Sequence, residues 1–393
     1  MLVFLTALNA LALIPTLVLF VEVVGAVVAR HEEYLQIPQT PGPVVIVVPA
    51  HNESCSILPT LMDLIPQLRE CDRLLVVADN CNDDTAAVSA AQGAEVLLRN
   101  EPDRRGKGYA LAWAIAHLRD DPPEFVLFVD ADCRLQPDFV SKTLDHCAQT
   151  GQPVQTLYLM TGAEGFQLNQ LVAELAWRLK NWIRPLGLHH FGRPVQLMGA
   201  GMMFPWGVIE LAPLASGNLV EDLKLGLDLA LSGTPARFLP TVRVTSAFAA
   251  TERGAESQRK RWIEGHLRMI GGYVPRLAAA SIATRNLDAL VLACDLLVPP
   301  LSLLILIALG MVALGGIYAS VGGALLPTVL AFLNLLLLAG ALAFAWLKFG
   351  RDILPASQIP LVLGQVLQRF RLFGRLVRRS SSEWVRTDRG RPE

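Results

Sequence analysis

The sequence predicts an α/β chain in which a doubly wound sheet domain is inserted between transmembrane helices. Of its 393 residues, 52% are hydrophobic and 18% are charged. Soluble domains carry charges at about a quarter of their positions, so part of this chain is expected to lie in lipid. Between the apolar blocks, short β-rich runs alternate with helical stretches, which is typical of parallel strands joined by crossover helices.

Charge and cysteine content exclude several classes of protein. The formal net charge is -1, and without a basic footprint we predict that no nucleic acid is bound. The six cysteines are scattered without a CxxC pair, so neither a zinc site nor a redox motif is predicted. We interpret them as reduced packing residues.

Three apolar blocks, residues 2–29, 289–314 and 325–347, are long enough to cross a bilayer, which takes about 20 residues. The first has no early basic charge and exceeds the roughly 7–15 apolar residues of a signal peptide, so a retained anchor is favoured over a cleaved signal. Glycines separate the second and third blocks and favour a short turn there. Glu22 and Asp295 are ionisable residues inside these blocks, which indicates either a functional site or a pair between helices.

Basic residues near the ends of the blocks predict the orientation. Arg30 follows the first block, Arg276 and Arg285 precede the second, and Lys348 and Arg351 follow the third. Because lysine and arginine accumulate on the cytoplasmic side, the central domain and the tail are expected in the cytosol, beneath a bacterial inner (plasma) membrane. The predicted parts are an anchor at 1–30, a cytosolic domain at 40–285, two transmembrane helices at 286–350 and a surface segment with a basic tail at 351–393.

Residues 353–379 combine a short apolar stretch with five arginines. Basic amphipathic segments bury an apolar face among headgroups and attract anionic lipid. We therefore expect this segment to contact membrane lipids at the bilayer surface; a fourth, short span is the alternative.

Strands and helices alternate along the central domain. Strand-like runs are residues 44–48, 73–78, 95–98 and 125–129, and helix-like stretches are residues 57–68, 85–91 and 108–118. The last of these strand runs is continuously apolar, as suits a strand buried on both faces. In such sheets ligands bind beyond the carboxyl ends of the strands, in this chain at residues 49–53, 79–84 and 130–132.

Two short motifs could meet a diphosphate. Neither GxGxxG nor GxxxxGK[ST] occurs, so a Rossmann dehydrogenase or a P-loop NTPase is not predicted. Asp130 and Asp132 are one residue apart at a strand end, where both carboxylates can flank a hard cation; solvated loop acids are the alternative. The basic turn 104–108 precedes a helix and can hold a phosphate through Lys107, or remain a solvated turn.

Two motifs in the second half of the chain carry chemistry or have a purely structural role. Glu221 and Asp222 begin a helical stretch, where acids also favour the helix dipole. Gln258, Arg261 and Trp262 can share one helix face. A basic interfacial helix with a tryptophan among headgroups is the alternative for that face.

Taken in order, these motifs resemble those of the membrane-bound family 2 glycosyltransferases. The QxxRW element, Gln258 to Trp262, is the most specific of them. Two departures stand out: Ala78 precedes Asp79 where many members have a second aspartate, and Val220 stands where a threonine often precedes the acidic pair. The matching segments are residues 48–53, 77–85, 106–111, 130–132, 199–202, 221–222 and 258–262.

The resemblance implies a GT-A-type fold, a Rossmann-like mixed sheet that binds a nucleotide sugar. It also implies inverting transfer of a sugar, with UDP as the expected nucleotide, to a hydroxyl of a membrane-associated lipid or lipid-linked glycan. On the donor side, Asp79 would bind the base and Lys107 the diphosphate. The loop containing Pro49, Ala50 and Glu53 would wall the nucleotide.

The resemblance further implies roles for metal and acceptor residues. Asp132 would hold Mg²⁺ or Mn²⁺, and Asp130 would contact the ribose or the metal. Asp222 would be the catalytic base. Gln258, Arg261 and Trp262 would belong to the binding site for the nucleotide sugar. Arg261 would pair with the diphosphate, and Trp262 would stack beneath the acceptor.

Two other functions are kept as alternatives. A processive polysaccharide synthase shares the QxxRW element, and oligomers of such a chain could assemble a pore. A metal-dependent nucleotidyltransferase also uses carboxylates on an α/β sheet, but it gives no reason for an acidic pair followed by QxxRW.

Overall fold

The computed structural model describes residues 1–30, 41–162, 168–249 and 251–361. These residues divide into two compact units. The helical unit contains residues 1–30, 168–192 and 266–361, and the sheet unit contains residues 41–162, 193–249 and 251–265.

Helices and strands follow one another along the chain in two parts. The first part comprises α1 (Leu2–Val28), β1 (Val44–Ala50), α2 (Ile57–Leu64), β2 (Arg73–Asp79), α3 (Thr85–Ala91), β3 (Glu95–Arg99), α4 (Lys107–Leu118), β4 (Phe125–Phe128), β5 (Arg134–Leu135), α5 (Phe139–Thr150) and β6 (Val154–Thr161). The second part comprises α6 (Leu168–Arg178), α7 (Arg184–His190), β7 (Met202–Pro205), α8 (Trp206–Ile209), α9 (Glu221–Leu231), β8 (Arg237–Ala247), α10 (Glu252–Thr284), α11 (Leu287–Leu297), α12 (Leu301–Ser320) and α13 (Leu326–Phe349). A π-helical turn, Leu179–Ile183, joins α6 to α7.

The sheet unit is built on one mixed sheet of eight strands in the order β3-β2-β1-β4-β7-β6-β8-β5. The strands β1 to β4 are parallel, β7 runs antiparallel to both of its neighbours, and β8 lies parallel to β6. Since β1, β2 and β4 are parallel, their carboxyl ends lie at one edge of the sheet. That edge receives the three loops predicted to bind a ligand.

The parallel half of the sheet matches the four predicted strands to within one or two residues. Every residue of β4 is buried, and all of β1 is buried except Pro49. Such strands consist of apolar β-formers because helices cover both faces of a parallel sheet. Strands β5 to β8 were not predicted. Of these, β5 and β7 are only two and four residues long and are defined by pairing with distant strands.

The helical unit contains three helices that are long and apolar enough to cross a membrane, α1, α12 and α13. The number agrees with the prediction, but the range 289–314 for the second span was wrong. The helical backbone is interrupted between α11 and α12, at Pro299 and Pro300. Proline lacks an N–H donor and pushes the preceding residue away from helical geometry, so one helix ends there and another begins.

The two ionisable residues of the predicted spans form a buried ion triad with Arg184. Its Nε donates to Glu22 at 2.6 Å, and its Nη2 donates to the Asp295 carbonyl at 2.6 Å and pairs with the Asp295 carboxylate. The triad joins α1, α7 and α11. Most of segment 353–379 lies outside the described residues.

Candidate active site

Hydrogen bonds connect the loops after β1 and β2. His51 Nδ1 lies 2.6 Å from the backbone oxygen of Asp79. The amide of Glu53 donates to Thr85 Oγ1 at 2.8 Å, and Asn82 N–H donates to Asn52 Oδ1 at 2.8 Å. The loop that contains Pro49, Ala50 and Glu53 is thereby fixed against the loop that follows Asp79.

Asp79 ends β2 and lies opposite Arg99, its register partner on β3. The two side chains form a buried ion pair, with Arg99 Nη1 2.5 Å from Asp79 Oδ1. Asn80 Nδ2 donates to the same oxygen at 2.8 Å. Burial raises the pKa of Asp79, and Arg99 only partly opposes that effect.

Asp130 and Asp132 lie just beyond β4. Asp130 pairs with the ammonium of Lys107, and Asp132 Oδ2 accepts a hydrogen bond from Ser246 Oγ at 3.0 Å. The Thr60 hydroxyl lies 2.8 and 2.7 Å from the carbonyl oxygens of Ala131 and Cys133. The segment is thus held in place by α2 on one side and by β8 on the other.

Lys107, the first residue of α4, connects several parts of the site. Its Nζ donates to the Gly199 carbonyl at 2.6 Å in addition to pairing with Asp130. Burial alone would lower the pKa of Lys107, but the carboxylates of Asp130, Glu221 and Asp222 together raise it. The lysine therefore stays protonated among three acids.

Gly199 lies between Lys107 and Asp222. Its φ of +106° is in the left-handed region, where glycine is favoured. A Cβ placed on it would be 3.2 Å from Asp222 Oδ2 and 4.0 Å from Lys107 Nζ. Gln155 fixes this turn, because its side chain accepts from Met198 N–H at 2.7 Å and donates to the Ala200 carbonyl at 2.9 Å.

Glu221 and Asp222 are the first two residues of α9. Burial, with the neighbouring charge of Asp222, raises the pKa of Glu221 to about 7, although Lys107 and Arg261 act in the opposite direction. Arg261 therefore lies within electrostatic range of Glu221. Both acids of the pair are close to cations from other elements.

The QxxRW element lies on α10, as the helical spacing predicted. Gln258 is buried, and Arg261 Nε is buried without a hydrogen-bond partner in the described part of the chain. Trp262 follows Arg261 on the same helix. The structure thus brings Asp130, Lys107, Asp222 and Arg261 into one charged group, whereas Asp79 is in a separate network with Arg99.

The acids after β4 fit a divalent cation of the type that binds with phosphate. Among the described residues, no three His, Cys, Asp or Glu side chains are grouped to enclose a metal ion. Mg²⁺ in phosphate-binding sites typically takes only one or two carboxylates, and phosphate oxygens and water complete its shell. Asp130 and Asp132 match that set of donors.

Sequence reasoning did not identify Arg99, Gln155 or Ser246. Each acts on a site residue that is distant in the chain, and no local motif marks it. Arg99 had one usable signal, since a basic residue at the end of the strand beside Asp79 is placed to neutralise it.

Known proteins share both the sequence pattern and the fold. A family model described as "Glycosyltransferase like family 2" matches residues 41–265. The mannosyltransferase PcManGT from Pyrobaculum calidifontis, in complex with GDP-Man and Mn²⁺, has a similar fold, with a TM-score of 0.53, 19% identity and coverage of 87% of this chain and 98% of that chain. No curated protein matches this sequence.

Two other solved structures align over shorter parts of this chain. Mannosyl-3-phosphoglycerate synthase from Rubrobacter xylanophilus gives a TM-score of 0.41, 20% identity and coverage of 58% of this chain and 74% of that chain. Glucosyl-3-phosphoglycerate synthase from Mycobacterium tuberculosis, in complex with phosphoglyceric acid, gives a TM-score of 0.38, 25% identity and coverage of 52% and 70%.

Proposed function

The chain belongs to glycosyltransferase family 2, and from that premise we propose that it transfers a sugar, with inversion, from a UDP-sugar to a hydroxyl of a membrane-associated acceptor. The predicted family and the GT-A fold are confirmed, as is transfer from a nucleotide-sugar donor. One observation carries the finer proposal. The ammonium of Lys107 pairs with Asp130 and also bonds to Gly199, the residue beside Asp222.

The donor nucleotide is assigned to the edge of the sheet beyond β1, β2 and β4. Asp79 accepts a hydrogen bond from the base, and the loop with Pro49, Ala50 and Glu53 lines the nucleotide site. Asp130 contacts the ribose or the metal. This assignment is supported by the hydrogen bonds that hold the two loops together.

The diphosphate is assigned to Lys107 and to Asp132, acting through a divalent cation. Mg²⁺ or Mn²⁺ held by Asp132, with Asp130 near, would stabilise the negative charge of the departing diphosphate as a Lewis acid. PcManGT, which shares the fold, was solved with Mn²⁺. Lys107 lies at a helix N-terminus, where a phosphate is also favoured by the helix dipole.

Asp222 is proposed as the catalytic base. The acceptor oxygen forms a bond to the anomeric carbon while the bond from that carbon to the diphosphate breaks on the opposite face, which inverts the configuration. The proton of the acceptor hydroxyl passes to the Asp222 carboxylate. The ammonium of Lys107 supplies positive charge close to the Asp222 carboxylate.

The QxxRW residues, which lie on α10, are assigned to contacts with the donor and the acceptor. Arg261 pairs with the diphosphate through its planar guanidinium, which suits bidentate binding. Trp262 stacks beneath the acceptor, and Gln258, which is buried on the same helix, contributes to the binding site for the nucleotide sugar.

The acceptor is proposed to be a lipid or a lipid-linked glycan. Among the described residues, three helices are long and apolar enough to span a membrane, and a chain held in a bilayer meets such acceptors by diffusion in two dimensions. The domain at 40–285 is proposed to be cytosolic, because arginines and lysines flank the spans on that side. Chain elongation by a processive synthase is the second candidate, and the product decides between the two.

The experiment uses purified full-length protein in detergent, labelled UDP-sugars and a membrane lipid extract. A product that partitions as lipid supports the proposal, and a polymer supports the synthase. Asp222→Asn should lower turnover by about 10²–10⁴-fold, the usual contribution of a general base, while donor binding remains. Asp132→Ala should remove both turnover and metal-dependent donor binding.

Asp121→Asn, at an exposed aspartate of the sheet unit, is the matched control and should keep wild-type turnover. Survival of turnover in the Asp222 variant would show that the assigned base is wrong. Donor binding that needs no divalent cation would contradict the role of Asp132.

A further inference from the structure

We propose that Arg99 and Asn80 select the base of the donor by leaving Asp79 a single hydrogen-bond acceptor. The inference rests on the proposed function, in which Asp79 binds the nucleotide base. It names the residues that would set the preference of Asp79 for a base with one imide N–H, such as the uracil of the proposed donor.

One carboxylate oxygen of Asp79 is fully engaged within the protein. Oδ1 accepts from Arg99 Nη1 at 2.5 Å and from Asn80 Nδ2 at 2.8 Å. A carboxylate oxygen has two lone pairs, so these two hydrogen bonds occupy it. Within the described parts of the chain, no donor is bonded to Oδ2, which is left for a ligand.

Both donors are held firmly in place. Arg99 Nη2 donates to the carboxylate of Glu101 at 3.0 Å and to the carbonyl of Arg104 at 2.7 Å. Asn80 Oδ1 accepts from the Glu101 amide at 2.8 Å, which fixes the orientation of its side-chain amide. A ligand therefore cannot displace either donor from Oδ1 without breaking several other bonds.

Exposure of the pair supports the same conclusion. The side chain of Arg99 is 2% exposed and that of Asp79 is 9% exposed. A ligand can reach the carboxylate, whereas the guanidinium lies behind it. Arg99 thus acts on the ligand only by occupying Oδ1 and by neutralising the charge of Asp79.

Uracil and guanine present different donors to a carboxylate. Uracil has one N–H between two carbonyls, so a single acceptor satisfies it. Guanine has an N–H beside an amino group, and this pair matches both oxygens of a carboxylate. At Asp79 the second guanine donor would be desolvated without a partner. We expect this to weaken the binding of GDP by about tenfold or more relative to that of UDP.

The test is calorimetric titration of the full-length protein in detergent with UDP and with GDP, in the presence of Mn²⁺. Wild type should bind UDP about tenfold or more tightly than GDP. Asn80→Gly frees a lone pair on Oδ1 and should narrow the ratio to about threefold; glycine is tolerated because φ at Asn80 is 51°. Arg99→Lys removes the guanidinium fork and should narrow the ratio as well.

Arg73→Lys is the matched control, because Arg73 forms an ion pair with Glu95 at the opposite end of β2 and should leave the ratio unchanged. Equal affinity of wild type for UDP and GDP would overturn base selection while the proposed function stands. If the ratio of UDP to GDP affinity were unchanged in both Asn80→Gly and Arg99→Lys, these two residues would not set the base preference. If neither nucleotide binds, the proposed function fails together with the inference.

Discussion

The ammonium of Lys107 has carboxylates on several sides, and their charges affect one another. It pairs with Asp130, and Glu221 and Asp222 add negative charge nearby. Partly buried acids tolerate this crowding only because cations from α4 and α10 are close. Glu221 still has a pKa raised to about 7, so near neutral pH its carboxyl group is only partly ionised.

Glu221 should make the stability of the protein depend on pH. The folded state keeps its proton up to about pH 7, whereas the unfolded chain releases it near the ordinary glutamate pKa of about 4.3. The stability that protonated Glu221 contributes is therefore fully present below the unfolded pKa and is lost as pH rises through about 7. As pH rises, we expect the Tm of the wild type to fall relative to that of Glu221→Gln, by about 2–4 °C for each kcal/mol of stability lost.

Thermal unfolding followed by intrinsic fluorescence at several pH values measures this difference. Glu70→Gln, a substitution of the same chemistry at an exposed site, serves as the control. Parallel Tm curves for wild type and Glu221→Gln between about pH 5 and pH 7 would show that ionisation of Glu221 does not destabilise the folded protein.

At the scale of elements, the site depends on how strands position turns. Gln155 on β6 holds the turn 198–200 through the Met198 amide and the Ala200 carbonyl. That turn carries the Gly199 carbonyl to which Lys107 donates. The link runs from a buried strand of the sheet to the charged group of the site.

Replacement of Gln155 should therefore impair catalysis through position. Gln155→Met keeps the size of the side chain but removes its hydrogen bonds, and we expect kcat to fall by about 10-fold to 100-fold, as small misplacements of reacting groups do. Gln155→Glu, held neutral by its burial, keeps an acceptor for the Met198 amide and a donor for the Ala200 carbonyl, and it should retain more activity. Steady-state kinetics with the donor sugar measures both variants.

Thr143→Val removes another buried hydrogen bond of the sheet unit, to the carbonyl of Phe139, and controls for a general loss of stability. If Thr143→Val and Gln155→Met lowered kcat equally, the turn would have no special role in catalysis.

At the scale of the whole molecule, each compact unit has its own core. In the sheet unit, buried residues of β1, β2, β4 and α4 pack together. In the helical unit, buried residues of α1, α12 and α13 do the same. The helical unit also contains the ion triad of Glu22, Arg184 and Asp295. In the chain, Glu22 is 162 residues from Arg184 and Asp295 is 111 residues from it.

The triad should be essential to the stability of the helical unit. Arg184→Met leaves Glu22 and Asp295 buried without their partner, and loss of one member of a buried ion pair costs about 3–5 kcal/mol. The triple variant Glu22→Gln, Arg184→Met, Asp295→Asn removes the charges together and should recover part of that loss.

Unfolding of the detergent-solubilised protein, followed by thermal scanning, measures these differences. Arg276→Met is the control, because Arg276 is an exposed residue of α10 that lies over the Tyr273 ring at 4.8 Å, and exposed contacts of this kind contribute about 1 kcal/mol or less. A Tm for Arg184→Met as high as that of the control would contradict the assigned role.

Local patterns account for what could be predicted. The parallel strands and the three apolar helices follow from short-range hydrophobicity, and the family follows from ordered motifs such as QxxRW. The second span was placed wrongly because its apolar run continues through Pro299 and Pro300, and composition alone does not register a break in the backbone. Strands β5 and β7 were not predicted, since antiparallel pairing with distant strands defines them.

The sequence by itself determined the family, the parallel half of the sheet, and three helices apolar enough for a membrane. Only the tertiary structure decided which charges meet: Arg99 with Asp79, Arg184 with Glu22 and Asp295, and Lys107 with Asp130. The physical reason is that periodicity and motif spacing are properties of neighbouring residues. The partner of a buried charge is set by chain segments that become adjacent only when the protein folds.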